Sequence, residues 1–479
     1  MKQTNCKFFR RFFLSLSLLL IVGVVAAAEF PRITAAEYAV DLREEEMPLS
    51  VQELGRYALL LSGVEEDELS QPMNTIASLI EGLQSYSGFE ESERDKGDVV
   101  LQYMHETISR QYREAQTRLD VFLQTGVYNC VSSAVLYTML ARSVGITVRT
   151  VYTSDHVFCK VKTPEGDTDV ETTNPYGYNP GEKKEFHDKF GRTGYTYVPP
   201  GNYRKRTEDD DRRLLSFILQ NRISAFEKAK QYGKAVPLAV DRYTVLGTEK
   251  AEEAMVKEFV NYLSLLNEQR QIEAAFTFLD MVEKKYGPDP KYEKITYVLV
   301  NNTVTQYINN EQFDRAVSFL GKKREQGDIS QEKYSEFKSR VEGRRIHVKV
   351  HSLPIDEAIH FVEKSYREDR VGKDRYGEYV SYLYVKKAEQ TANQEGWLAA
   401  VDIVDAGLEK LPGNRKLQEA KSVFEHNYAA RVHNRFARLF NEGSYDEAKR
   451  VIESALEKLP ESSLLQRDLS TVEQALSQS

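Results

Sequence analysis

Cysteine is nearly missing from this chain: Cys6, Cys130 and Cys159 are the only three in 479 residues. That scarcity excludes a disulfide-built scaffold, even in an oxidising compartment, and leaves room for one bridge at most. No CxxC pair, HExxH helix or Gly-rich P-loop occurs, so no metal or nucleotide site is recognisable by spacing, and no cofactor is expected. Positive charge is short as well, with a formal net charge of −8. The first 28 residues hold Lys2, Lys7, Arg10 and Arg11 and no acid; without those four charges the remainder stands at −12. An acidic body argues against nucleic acid as a partner, because phosphate neutralisation needs a basic face. A long apolar run is also missing beyond Val25, so no later segment is expected to cross a membrane.

The N-terminus has the three parts of an export signal. Lys7, Arg10 and Arg11 form a charged head, Phe12 to Val25 is uncharged, and Ala26-Ala27-Ala28 is a small-residue cleavage site. Residues 1–28 therefore read as a signal peptide, and the protein as exported: periplasmic, in the cell envelope, or secreted. The uncharged run is short for a membrane span, and only an uncleaved leader would keep the chain on a membrane. Cys6 leaves with the leader, so the mature chain carries Cys130 and Cys159.

Residues 29–94 read as a helical extension. Stretches such as "SVQELGRYALLL" and "VVLQYMHETISRQY" carry apolar residues at helical spacing. Between 95 and 207 the pattern turns mixed. A helical run from Val131 to Val144 is followed by "ITVRTVYTS", "HVFCKVKT" and "TDVETT", rich in β-branched and aromatic residues, with "PEGD" as a turn. Helices followed by antiparallel strands predict an α+β domain. The charged run Arg204 to Arg213 reads as a solvated boundary.

From 208 to 479 the chain reads as a helical-repeat region. One pattern recurs: an aromatic or aliphatic residue, two mostly polar ones, then alanine. It starts at Tyr232, Ile272, Phe313, Ile355, Trp397 and Tyr445, with steps of 40, 41, 42, 42 and 48 residues. Leu411-Pro412 and Leu459-Pro460 follow the last two copies at matching distances. The pattern resembles the second helix of a tetratricopeptide repeat, where alanine admits the paired helix and proline stops the helix, although the usual period is 34. The resemblance implies an all-α solenoid of helical hairpins that binds a protein partner, with Trp397 and the tyrosines as hairpin core or as lining of a concave face. "RIHVKVH" alternates like a strand, which separates His347 from His351 and makes a metal pair there improbable.

Cys130 opens the helical run after the turn Tyr128-Asn129. A helix N-terminus favours a thiolate, the form in which cysteine attacks. His156 begins a strand, and the turn at Pro164–Asp167 sends the chain back. With Thr163 facing Thr168, His156 faces Pro175; His156, Asp169 and Glu171 share one face of the sheet and Cys159 lies on the other. Glu171 then stands four residues, roughly 13 Å, from the partner of His156, and Asp169 farther still. Glu171 is thus the better candidate to orient the imidazole, with Asp169 as the rival.

These residues resemble the transglutaminase-like fold, which is similar to papain-type cysteine proteases. The match runs over residues 95–180: Gly126 to Cys130, a helix to Gly145-Ile146, His156-Val157, and Val170-Glu171-Thr172-Thr173. The resemblance implies a catalytic triad of Cys130, His156 and Glu171, with Glu171 in a slot that usually holds Asp, and Val131 and Val157 where an aromatic often stands. The backbone N–H of Cys130 and the side chain of Tyr128 are the candidate oxyanion donors. The expected activity is that of an exported cysteine enzyme acting on peptide or amide bonds of a protein or peptide substrate through a thioester, hydrolysis being favoured over acyl transfer. The other reading is a non-catalytic scaffold of the cell envelope.

Overall fold

The structure, a computed structural model, describes residues 30–86, 93–164, 166–180 and 206–478. The leader 1–28 with Cys6, the start of the charged run and His187 lie outside the described residues. The chain divides into two compact units, one ending at Ile295 and the other beginning at Thr296.

The first unit opens with helices α1 (Glu37–Glu44), α2 (Val51–Ser62), α3 (Ser70–Gln84) and α4 (Glu93–Thr107). Two-residue strands β1 (Gln111–Tyr112) and β2 (Val127–Tyr128) pair in parallel around α5 (Leu119–Thr125). The helix expected through "ISRQY" therefore ends at Thr107, before that strand. Next comes α6 (Cys130–Ser143), in which every residue from Val131 to Ala141 is buried. A helix apolar all round belongs in the centre of a core. Here α2 and α4 pack on it from one side, β3 (Thr147–Tyr152) and β4 (Val157–Thr163) from the other. Strand β5 (Gly166–Val170) and β6 (Thr207–Asp209) complete an antiparallel sheet of order β5-β4-β3-β6. An N-terminal α+β region followed by a long all-helical region is thus the fold.

The hairpin between β4 and β5 is tighter than the sequence suggests. Thr163 pairs with Gly166 rather than with Thr168. The register moves by two residues, so faces are preserved, but the partner position of His156 moves from Pro175 to Thr173. Glu171 is then two residues from it instead of four, about 7 Å along the strand.

The helical region starts inside the first unit. α7 (Asp211–Lys228) packs on α2 and α6, and α8 (Tyr232–Leu246) packs on α1. Buried polar clusters hold them there. Arg142 of α6 donates bidentately to Asp211 at 2.7 Å on each oxygen, and the Leu49 N–H donates to Asp211 at 2.9 Å. The carboxylate of Asp241, fully buried, accepts from Arg32, the Ala36 N–H and the Tyr38 hydroxyl. Charged groups away from water require such complete pairing. α9 (Glu249–Glu268) and α10 (Ile272–Tyr286) follow, and the division between the units falls within α11 (Pro290–Asn309).

The second unit continues with α12 (Phe313–Glu325), α13 (Gln331–Ser352), α14 (Ile355–Arg367), α15 (Lys373–Gln394), α16 (Trp397–Lys410), α17 (Arg415–Asn441), α18 (Tyr445–Leu456) and α19 (Ser463–Gln478). Each of the six repeat matches is the first residue of a helix: Tyr232, Ile272, Phe313, Ile355, Trp397 and Tyr445. The alanine three positions on, Ala235, Ala275, Ala316, Ala358, Ala400 or Ala448, has no exposed surface in any copy. A methyl at that position lets the neighbouring helix approach. Trp397 stacks on Phe424 at 6.1 Å within a hairpin core.

"RIHVKVH" is not a strand. It forms the last two turns of α13, burying Ile346 and Val350 at i, i+4. Its β-branched residues alternate with polar ones over too short a run to separate the two periods, and packing against α14 selects the helix. His347 and His351 therefore stand one turn apart, their ring centroids 4.4 Å from each other.

Candidate active site

Cys130 is the first residue of α6, and Asn129 caps that helix. Asn129 Oδ1 accepts from the N–H groups of Val131 at 3.0 Å and Ser132 at 3.1 Å, while the Ser132 hydroxyl accepts from the Asn129 N–H at 3.0 Å. This reciprocal box holds the turn in place. The N–H of Cys130 precedes the two that the cap takes up. Cys130 itself is partly exposed, whereas the following eleven residues are buried.

His156 stands one residue before β4, and its carbonyl accepts from the Thr153 N–H at 2.9 Å. Glu171 follows β5 directly. The two side chains meet: His156 Nε2 lies 2.6 Å from Glu171 Oε2, with both groups buried. Glu171 Oε1 accepts from the Thr173 N–H at 3.2 Å and the Thr173 hydroxyl at 2.7 Å. With Nε2 engaged by Glu171, Nδ1 is the nitrogen left for Cys130.

Burial alone would depress the imidazole, but the Glu171 carboxylate and the Cys130 side chain outweigh it and hold His156 well above the usual range. Burial likewise works against ionisation of Glu171, yet His156 and the Thr173 donors hold it below its ordinary value. The carboxylate thus favours the protonated imidazole, the form that stabilises a thiolate once the thiol proton has passed to His156.

The loop after Glu171 is fixed from several sides. The Ser133 and Thr172 hydroxyls are 2.8 Å apart, Tyr128 donates its hydroxyl to the Thr173 carbonyl at 3.2 Å, and His105 Nε2 contacts the Thr172 carbonyl at 3.1 Å. Burial pushes His105 down to about 4. It is then a neutral ring that donates through Nε2. Gly177 closes the loop: its carbonyl accepts from the Glu171 N–H at 2.8 Å, and a Cβ there would stand 1.9 Å from the Glu171 carbonyl oxygen.

The remaining sequence candidates fall elsewhere. Tyr128 is buried and its hydroxyl serves the acid loop. The tyrosine that feels the thiol is Tyr112, its partner in the β1–β2 register, whose hydroxyl is pushed up by burial and then by Cys130. Asp169 pairs with Arg206 across from Lys160, away from His156. Cys159 is a free thiol buried against α6, 3.7 Å from the Ala134 carbonyl, and burial pushes it up to about 12. A thiol so placed is inert.

Cys130 and His156 open into a cavity of about 500 Å³, a size that admits a small ligand or a peptide side chain. The opposite wall comes from the helical region: Arg213 and Phe217 of α7, Arg242 of α8 and Lys250 of α9. Among the described residues, no group of three or more His, Cys, Asp and Glu could hold a metal ion, and no helix is long and apolar enough to cross a membrane.

His105, Tyr112, Gly177 and Arg242 were not singled out from the sequence. Only Gly177, in the turn-rich "TTNPYGYNP", carries a local signal; the others depend on which elements pack together.

Cys130 at a helix N-terminus thus shares a cavity with His156, whose ring is held by the Glu171 carboxylate. The particular family follows from comparison. Residues 83–167 match the model of the transglutaminase-like superfamily, so this part of the chain is a transglutaminase-like domain. The match contains Cys130 and His156 and stops four residues before Glu171. No curated protein matches the chain.

Proposed function

We propose that the protein is a cysteine enzyme that forms a thioester between Cys130 and the acyl group of a peptide or amide substrate. The observation that carries this reading is that His156, held 2.6 Å from the Glu171 carboxylate, lines one cavity with Cys130. Nδ1 of His156 accepts the thiol proton as Sγ attacks the amide carbon. The Cys130 N–H donates to the oxygen that becomes negative. The tetrahedral intermediate collapses, the C–N bond breaks, and the imidazolium returns its proton to the leaving amine. Water, deprotonated by the same imidazole, then attacks the thioester and frees the acid and the thiol. An amine in place of water would give transfer; hydrolysis is favoured because water is always present. Glu171 holds Nε2–H and balances the imidazolium.

We read the protein as exported by its N-terminal leader, with the helical repeats engaging a protein partner or substrate. N-terminal sequencing of the mature chain tests the export, cleavage after Ala28 being expected. For the chemistry, the full chain is treated with iodoacetamide near pH 6 and mapped by mass. Cys130 should label much faster than Cys159, and His156→Ala should slow the labelling of Cys130. Labelling independent of His156 would instead make the domain a non-catalytic module.

A further inference from the structure

The cavity beside Cys130 holds more positive charge than the thioester chemistry needs. Arg213, Arg242 and Lys250 all line it, in a chain whose net charge is −8. One acid, Asp155, is also at its edge, but the Thr153 and Ser154 hydroxyls donate to its Oδ1 at 3.1 and 3.3 Å within its own turn. Arg213 has a partner: its Nε is 2.9 Å from Asp209, and its guanidinium lies over Tyr152. Arg242 differs. Its Nε is buried and meets no hydrogen-bond acceptor among the described residues. Burial, and then repulsion from Arg213, push it down to about 10. Arg242 is half-buried and has no carboxylate partner among the described residues, and a cation so placed costs stability. The arrangement is understandable when a ligand supplies the missing anion.

We propose that Arg242, with Arg213 and Lys250, forms a carboxylate-binding subsite of the Cys130 cavity, so that the preferred substrate is an acidic peptide. This rests on the reading of Cys130 as the nucleophile of a peptide-acting enzyme. The anionic groups of an unmodified peptide are carboxylates, and the planar guanidinium fork matches a carboxylate with two parallel hydrogen bonds. Lys250, exposed in the first turn of α9, adds a mobile charge at the mouth. Carboxylates enter from solution against an otherwise acidic surface, so the local cations decide which substrates reach the thiol.

The test compares iodoacetate, which carries a carboxylate, with iodoacetamide, which does not, on Cys130 of the full chain. In the wild type the iodoacetate-to-iodoacetamide rate ratio should exceed that of a free thiol. Arg242→Gln should lower the ratio about tenfold, the scale expected for one unit charge a few ångströms away in a partly screened site, and Arg242→Lys should restore most of it. Lys250→Gln, at an exposed position, should lower it about twofold and stands in if Arg242→Gln does not fold. A ratio equal in the wild type, Arg242→Gln and Lys250→Gln overturns the subsite. The nucleophile is judged separately, by the dependence of iodoacetamide labelling on His156. Protection of Cys130 by acetyl-Ala-Glu-amide would place the recognised carboxylate on a side chain, and protection by acetyl-Ala-Ala with a free terminus would place it at the chain end; either supports the proposal. Equal protection by acetyl-Ala-Gln-amide, or protection by none of the three, refutes it.

Discussion

Replacing Glu171 by Gln removes one charge and reverses one hydrogen-bond role. In the native loop Oε1 accepts twice from Thr173, while Oε2 faces His156 Nε2. The Gln carbonyl must stay with the two Thr173 donors, because the amide NH₂ would oppose both. The NH₂ then faces Nε2 and requires it to be an acceptor. The imidazole proton moves to Nδ1, the nitrogen needed to take the proton of Cys130. Both the tautomer and the charge are wrong for catalysis. The lost attraction between unit charges about 4 Å apart at an effective dielectric constant of about 20 is about 4 kcal/mol, equivalent to about 10³-fold in rate. Without the carboxylate, the largest cause raising His156 is gone, and its pKa should fall. The stability profile should change with it. A histidine raised in the folded state contributes stability that is complete below its unfolded value, about 6.5, and is lost as pH rises through the folded value. Glu171, held low, contributes stability above its unfolded value and loses it as pH falls. In the variant the contribution of Glu171 should vanish and that of His156 should shrink. The assay is the rate of iodoacetamide labelling of Cys130 from pH 5 to 9, beside thermal melts over the same range. Wild-type labelling rates with an unchanged pH profile in Glu171→Gln would refute the assignment of Glu171 to His156. Asp169→Asn, whose side chain pairs with Arg206 among the described residues, should leave the rates unchanged.

Gly177→Ala should reach the same defect through the backbone. Its Cβ would force the Glu171 carbonyl aside, costing about 1–3 kcal/mol in a melt and slowing Cys130 labelling as Glu171→Gln does. Asp211→Ala leaves Arg142 buried without its bidentate partner and should destabilise by about 3–5 kcal/mol in urea titrations; a loss below 1 kcal/mol would contradict the pairing. A fragment ending at residue 207 lacks both Asp211 and α7, so circular dichroism should show no cooperative melt. Burial, and then the hydrogen bond that protonated Glu258 donates to Glu227, push Glu258 in α9 up to about 7. The folded state holds that proton more tightly than the unfolded chain, so stability should decline as pH rises from about 4.5 to 7. Glu258→Gln should remove the decline and gain about 1–2 kcal/mol at pH 8 after allowance for screening, as read from melts at pH 5 and 8.

Much of this protein was legible locally. The helix starts at Tyr232, Ile272, Phe313, Ile355, Trp397 and Tyr445 follow from a pattern confined to four residues, because an alanine facing a neighbouring helix is a requirement of one turn. Cys130 at a helix N-terminus needed only Asn129 and the unbroken run after it, since capping is decided within three residues. The shared sheet face of His156 and Glu171 needed only the period of two along a strand.

Other features were settled by packing alone. Two register positions separate the expected β4–β5 hairpin from the real one; both keep the faces, and only the closed loop from Glu171 to Gly177 brings the carboxylate to the imidazole. "RIHVKVH" suits either period, and its neighbours in the second unit make it a helix. The charged run looked like a boundary because it is polar, yet Asp211 within it is buried against Arg142, and a carboxylate's partner across 69 residues leaves no mark in its own neighbourhood. Arg242 likewise reads as one more arginine on a repeat helix. Packing of α7 and α8 against the α+β region makes it a wall of the cavity that holds Cys130, since tertiary structure decides which charges lose water and which face a shared cavity.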